Sequence, residues 1–240
     1  QISTDAAFAS AASSRTQALD AAFTALSANA AYYLRVRAHG NDGRLSDYTA
    51  LPSTRTPPAA PGVPAAPFPA VGTSSMAAAW TGGGNGPGTA YLARISTDDF
   101  TTVIFSSETF ALSALFGSGG AGPALVQNTT HQVQVKALGG GGPGVFTALG
   151  SVSTLARAPS SSMAAVTSST TARLSWQAEG NPAGTVYEVW RDLDPSFPQA
   201  VKTEVSTSAH LAGGLSPRTT YYFQVRARSH GGVLTAFDAA

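Results

Sequence analysis

A turn followed by a strictly alternating strand occurs three times in this chain. Near the C-terminus it reads Leu215-Ser-Pro217-Arg-Thr219-Thr-Tyr221-Tyr-Phe223-Gln-Val225-Arg-Ala227. Near the N-terminus it reads Leu26-Ser-Ala28-Asn-Ala30-Ala-Tyr32-Tyr-Leu34-Arg-Val36-Arg-Ala38. In the middle it reads Leu125-Val-Gln127-Asn-Thr129-Thr-His131-Gln-Val133-Gln-Val135-Lys-Ala137. One face of each segment is Tyr or His, then an apolar residue, then Val and Ala. The other face is Tyr, Gln, Arg or Lys. A period of two with one apolar face specifies a half-buried β-strand, and its recurrence marks an internal repeat.

Other features repeat with the same spacing. Trp80 and Trp176 each end a short strand after a Thr-Ser-Ser turn, and they lie 176 − 80 = 96 residues apart. Tyr91 and Tyr187, which open the next strand, are also 187 − 91 = 96 apart. An acidic turn with a Phe follows that strand in each copy: Asp5 with Phe8, Asp98 with Phe100, and Asp192 and Asp194 with Phe197.

The Leu-x-Pro-x-Thr-x-Tyr-x-x-x-Val-x-Ala spacing resembles the E–F corner and F strand of fibronectin type III domains, in the style of bacterial tandem arrays. The resemblance implies an all-β fold of tandem, immunoglobulin-like sandwiches. Trp80 and Trp176 would be the B-strand core tryptophans. Tyr32 and Tyr221 would be the corner tyrosines, whose hydroxyl bonds back to nearby backbone. Leu26, Leu125 and Leu215 open the corner, and Pro217 and Thr219 complete it in the last copy. His131 replaces the corner Tyr in the middle copy, where an imidazole reaches the backbone less well. That copy also carries glycine-rich segments, Phe116–Gly122 and Gly139–Gly142, so it is expected to be the most mobile and least regular.

The implied partition is 1–56, a partial repeat running from the C to the G strand; 57–155; and 156–240, whose last strand is unfinished. The partition rests on matching Tyr48-Thr-Ala-Leu51 and Phe146-Thr-Ala-Leu149 to Leu234-Thr-Ala-Phe237. The proline-rich stretch between Thr56 and Val71 reads as a linker running into an edge A strand. The first copy shows no A strand, B strand or core Trp. This fits either a window cut from a longer array or a subunit completed by strand addition from a neighbour.

Composition narrows the function classes. Charged residues make up 11% and the formal net charge is +1, with no basic block, so a nucleic-acid partner is not expected. No apolar run approaches the ~20 residues of a membrane span. Cysteines are absent, which excludes disulfides and thiolate metal sites. No catalytic, cofactor or metal site is expected. His39, His131, His210 and His230 are scattered, and the acidic turns offer too few ligands for the ~6–8 oxygens that calcium takes. Asn128-Thr-Thr130 matches an N-glycosylation sequon.

One surface invites a contact. Tyr187 and Val189 should point inward, leaving Glu188 and Trp190 outside beside Tyr222, Gln224 and Arg226. Trp190, Tyr222 and Arg226 form a candidate patch for a glycan or a cell-surface protein. The middle copy offers Leu92, Arg94, Gln132, Gln134 and Lys136 there, without aromatics. The favoured reading is an extracellular structural protein, a segment of a bacterial surface filament, sheath or adhesin stalk that self-associates through its repeats. An export signal is then expected outside this stretch. The alternative is a spacer or glycan-binding accessory module of a secreted polysaccharide-degrading enzyme.

Overall fold

The computed structural model describes residues 1–142 and 144–239. Alternating segments become strands throughout, and no helix occurs among the described residues. The first copy holds β1 (Ile2–Ser3), β2 (Ala31–Val36) and β3 (Thr49–Arg55). The second holds β4 (Ala70–Val71), β5 (Ser75–Ala79), β6 (Ala90–Ser96), β7 (Phe105–Thr109), β8 (Ser113–Gly117), β9 (Thr130–Leu138) and β10 (Thr147–Ser153). The third holds β11 (Ser160–Ser168), β12 (Thr171–Gln177), β13 (Val186–Asp192), β14 (Val201–Val205), β15 (Ala209–Ala212), β16 (Tyr222–Arg228) and β17 (Asp238–Ala239).

The second and third copies have the same topology. A three-stranded antiparallel sheet (β4-β5-β8, β11-β12-β15) faces a four-stranded one (β10-β9-β6-β7, β14-β13-β16-β17). The inward residues of the two sheets make one core per copy. In the second, Met76, Ala78 and Trp80 meet Tyr91, Ala93, Ile95, Val133, Val135 and Ala137. In the third, Leu174 and Trp176 meet Tyr187, Val189, Phe223, Val225 and Ala227. Each tryptophan leans on the C-strand tyrosine, with ring centroids 5.9 Å apart for Trp80–Tyr91 and 5.3 Å for Trp176–Tyr187. Tilted and edge-on aromatic pairs of this kind add about 0.5–1.5 kcal/mol to the area they bury.

The first copy is a single sheet, β1-β2-β3. Its inner face aligns Ile2 with Leu34 and Leu34 with Leu51. No second sheet covers that face among the described residues. Ile2 and Tyr32 are buried, yet Val36 is 52% and Leu51 46% exposed.

Three expectations change. First, several glycines in the glycine-rich segments of the second copy, Gly117, Gly120, Gly122, Gly139 and Gly141, are closely packed. Gly117 has φ +86, and a Cβ there would sit 2.2 Å from the Ser74 carbonyl oxygen. This copy has the same regular three-on-four arrangement as the third. Second, the proline-rich stretch is mostly part of the second copy. Gly62 bridges Thr81, and the Pro67 carbonyl accepts from the Ala79 N–H at 2.8 Å. Third, the register of the last strand differs. Val36 pairs with Thr49, Val135 with Thr147 and Val225 with Asp238. Phe237 is therefore the counterpart of Tyr48 and Phe146, and Leu234 that of Leu45. The Ser46 and Thr235 hydroxyls confirm this alignment, accepting from the N–H groups of Ala38 and Ala227.

The corner itself forms where tyrosine is present. The Tyr32 hydroxyl accepts from the Ser27 N–H at 2.8 Å, and the Tyr221 hydroxyl from the Ser216 N–H at 3.0 Å. In the second copy His131 is 1% exposed, and its Nδ1 is buried without a partner. Burial holds its pKa below the ordinary 6.5, against a smaller opposing effect from the Thr129 backbone. The folded chain thus binds fewer protons here than the unfolded one. The resulting stability is complete above the unfolded pKa and is lost as pH falls through the lowered folded value. Urea unfolding of the second copy is expected to show lower stability at about pH 5 than at about pH 7.5. His131→Phe should flatten that difference; a difference unchanged in the variant would acquit His131.

Candidate functional site

Two surfaces stand out, one along the outside of the four-stranded sheets and one between copies. The first is the Trp190 face. Trp190 and Arg226 come together as expected, with the guanidinium carbon 5.0 Å from the indole centroid. Lys202 also lies over the indole, at 4.2 Å, and the Phe237 ring meets it edge-on at 4.8 Å. Arg226 is held by Glu188, 2.7 Å away, and both side chains are mostly buried. Tyr222 pairs with Asp192 in the sheet, two residue pairs beyond the one that joins Trp190 to Gln224, and it takes no part in these stacking contacts. The patch is a closed ladder with most of its contacts internal.

The ladder recurs in every copy, which corrects the expectation that the middle one lacks it. In the first copy Arg35 lies over Phe8 at 4.1 Å and over Tyr48 at 3.9 Å. In the second, Arg94 lies over Phe100 at 5.4 Å and over Phe146 at 3.9 Å. In these two copies the aromatics come from the acidic turn and the start of the G strand, not from the strands that carry the cations. Phe8, Phe100 and Phe197 all take positive φ, so the three acidic turns share this backbone conformation, and the rings of Phe8 and Phe100 meet a cation.

The second surface is the joint between copies. Asn29 and Asn128 occupy the same corner position, both with left-handed backbone, φ 50 and 46. Asn29 donates its amide N–H to Thr89 Oγ1 of the second copy at 3.0 Å. Asn128 donates to Thr185 Oγ1 of the third at 2.9 Å. Its amide oxygen accepts from the His230 N–H at 2.7 Å. Asn128 is fully buried. The sequon there is closed in the folded chain, because its nitrogen is engaged and covered.

The remaining candidates are structural. Asp5, Asp98 and Asp194 accept from backbone N–H groups of their own turns, chiefly those of Ala7, Thr102 and Ser196, which lowers each carboxyl below its usual range. Their oxygens are thereby used in turn formation. No group of three or more His, Cys, Asp or Glu side chains suited to a metal occurs among the described residues. His210 is held below its ordinary pKa by burial and then by Arg191. The sequence carries a signal for the residues that meet the corner asparagines. Asn85 and Asn181, like Thr89 and Thr185, repeat at the 96-residue spacing of Trp80 and Trp176 (181 − 85 = 185 − 89 = 96).

The ladder makes a contrast testable. Glu188 accepts from Arg226 and from Trp190 Nε1 in a mostly buried setting, whereas Glu204 holds Arg228 in the open. Glu188→Ala should cost the third copy about 1–3 kcal/mol in denaturant unfolding. Glu204→Ala should cost under about 1 kcal/mol.

Comparison with known proteins places this architecture. Residues 157–236 match the fibronectin type III domain family. A two-domain fibronectin type III segment from chicken tenascin superimposes with a TM-score of 0.52 at 12% identity, covering 75% of this chain and 97% of that one. The FN1–FN3 domains of chicken CNTN1 give 0.31 at 19% identity, covering 89% of this chain and 77% of that one. An Fn3-like protein from Clostridium thermocellum gives 0.31 at 29% identity, covering 35% and 86%. No curated protein matches the chain in sequence. Residues 157–236 are thus a fibronectin type III domain, and the chain is an all-β protein that carries this fold in tandem.

Proposed function

We propose that this chain is a load-bearing or spacing segment of an extracellular structural protein, such as a bacterial surface filament, sheath or adhesin stalk. One observation carries the reading: successive copies are joined head to tail by equivalent direct contacts. Each corner asparagine reaches the same threonine of the next copy. Domains strung this way extend along one axis, with function in length and spacing rather than in a pocket.

Self-association has a specific support in β11. It is a nine-residue edge strand, Ser160–Ser168, with neither proline nor charge. Met163 is 67% and Val166 83% exposed. Uncharged edges of this length are templates for pairing with another chain. The edge of the second copy differs, being only two residues long and preceded by Pro61, Pro64, Pro67 and Pro69. A second copy of this chain is therefore the partner that the third sandwich fits best.

The accessory-module reading needs an aromatic face free to stack on sugar. Trp190 has two cations over its ring and Phe237 against it, which favours the structural reading.

Small-angle scattering of the chain is expected to give an extended particle at low concentration and association as concentration rises. Val166→Lys should reduce the association at least severalfold without changing the far-UV dichroism. A wild-type chain that stays monomeric at high concentration would overturn the self-association, and a globular scattering profile would overturn the rod.

A further inference from the structure

The two joints share more than one bond. Upstream, the carbonyl of Pro57 or Leu155 accepts from the corner N–H of Asn29 or Asn128, at 3.1 Å in each case. Beside it, the hydroxyls of Thr56 and Thr154 cap the same corner, each accepting an N–H from the residue after the asparagine, at 3.0 Å. Downstream, an asparagine in the loop before strand C clamps the incoming chain by both amide groups. Asn85 accepts the Ala59 N–H and donates to the Ala59 carbonyl, both at 2.9 Å. Asn181 does the same to Arg157, at 2.9 and 2.8 Å. The backbone between copies, from 57 to 59 and from 155 to 157, is therefore pinned at both ends with no free residues to bend.

The joints also show matched differences. At the second, the Ala156 N–H donates to the Ser229 hydroxyl at 2.8 Å, within a buried setting. At the first, the corresponding residues are Pro58, which has no N–H, and Gly139, which has no side chain. A Cβ on Gly139 would fall 2.3 Å from the Asn29 amide oxygen. Donor and acceptor are thus present together or absent together, as satisfaction of buried polar groups demands.

From this we infer that the corner asparagine is a recognition element that docks the next sandwich in one fixed orientation. The partner it fits is a sandwich with Thr at the start of strand C, Asn four residues before that Thr, and Gly or Ser opening the F–G loop. Arg218 marks the boundary of this code. It sits at the same corner with the same left-handed backbone, φ 57, but a guanidinium has donors only. It has no acceptor for a loop N–H such as that of His230. The inference deepens the rod reading, which needs only serial sandwiches; this adds that the joints are rigid.

Residual dipolar couplings on the intact chain test it. One alignment tensor is expected to fit the amides of the second and third sandwiches together, and to persist in high salt because the clasp is between neutral groups. Asn128→Gly keeps the positive φ and removes the amide; Thr185→Val removes the acceptor from the other side. Each is expected to split the fit into two tensors while amide spectra away from the joint stay unchanged. If one variant fails to fold, the other still decides. Two tensors in the wild type, or one shared tensor in the folded variants, overturns the clasp. Either result leaves the extended shape seen by scattering as a separate question.

Discussion

The turn into the F strand organises this molecule at two scales. Inside a copy it ties the strand start to the opposite sheet: the Leu125 N–H bonds to the Ser74 carbonyl, and that of Leu215 to Thr170, at 2.9 and 3.0 Å. The tyrosine hydroxyl closes the same turn from the other side where tyrosine is present. To make these bonds, the backbone turns left-handed at one residue, Asn29, Asn128 or Arg218. Asparagine tolerates that conformation better than most residues. The conformation also throws its side chain outward, toward the next copy. A local steric demand of the corner thereby supplies a long-range contact.

Much of this was legible in the sequence because alternation reports faces directly. Tyr187, Val189, Phe223 and Val225 are buried as their period of two requires, and Trp80 and Trp176 sit in their cores. What was not legible depended on register. Leu234-Thr-Ala-Phe237 matches Tyr48-Thr-Ala-Leu51 by letters, yet the hydroxyls of Thr235 and Ser46 occupy the same place, three positions away from that match. Identity of short residues misaligns loops, because it does not say which hydroxyl faces which N–H. The aromatic ladder of the middle copy is not legible from strand alternation, because its rings come from Phe100 and Phe146 outside the strand that carries Arg94. Asn128 shows a different limit. Its sequon is a pattern of three neighbours, while its role comes from Thr185 and His230, 57 and 102 residues away.

The low charge of the chain acquires a physical sense from the ladders. Seven of its 14 Lys and Arg residues lie over aromatic rings: Arg35, Arg37, Arg94, Lys136, Arg191, Lys202 and Arg226. Such contacts are worth about 0.5–1 kcal/mol each at exposed sites and more when desolvated. They use the alkyl stems to cover the outer sheet face and leave few cations free to repel a neighbouring molecule. A surface with few free charges also depends less on counter-ions.

The two surfaces divide the work by direction. Along the axis, the second joint is made of neutral amide, hydroxyl and backbone groups with Asn128 and Thr185 buried, so ionic strength has little hold on it, while at the first the Arg55 guanidinium also bonds to Asn29. Around the axis, the ladders fix each sheet face by charge and ring together. Each copy touches only its sequence neighbours, so geometry propagates one joint at a time. Any looseness at a joint would accumulate along the array, and the pinned residues from 57 to 59 and from 155 to 157 remove it where it would enter. A corner with Arg218 instead of Asn leaves that restraint out. Stiffness in such an array is then set locally, by one residue at each corner, and can differ from joint to joint without any change in the sandwiches themselves.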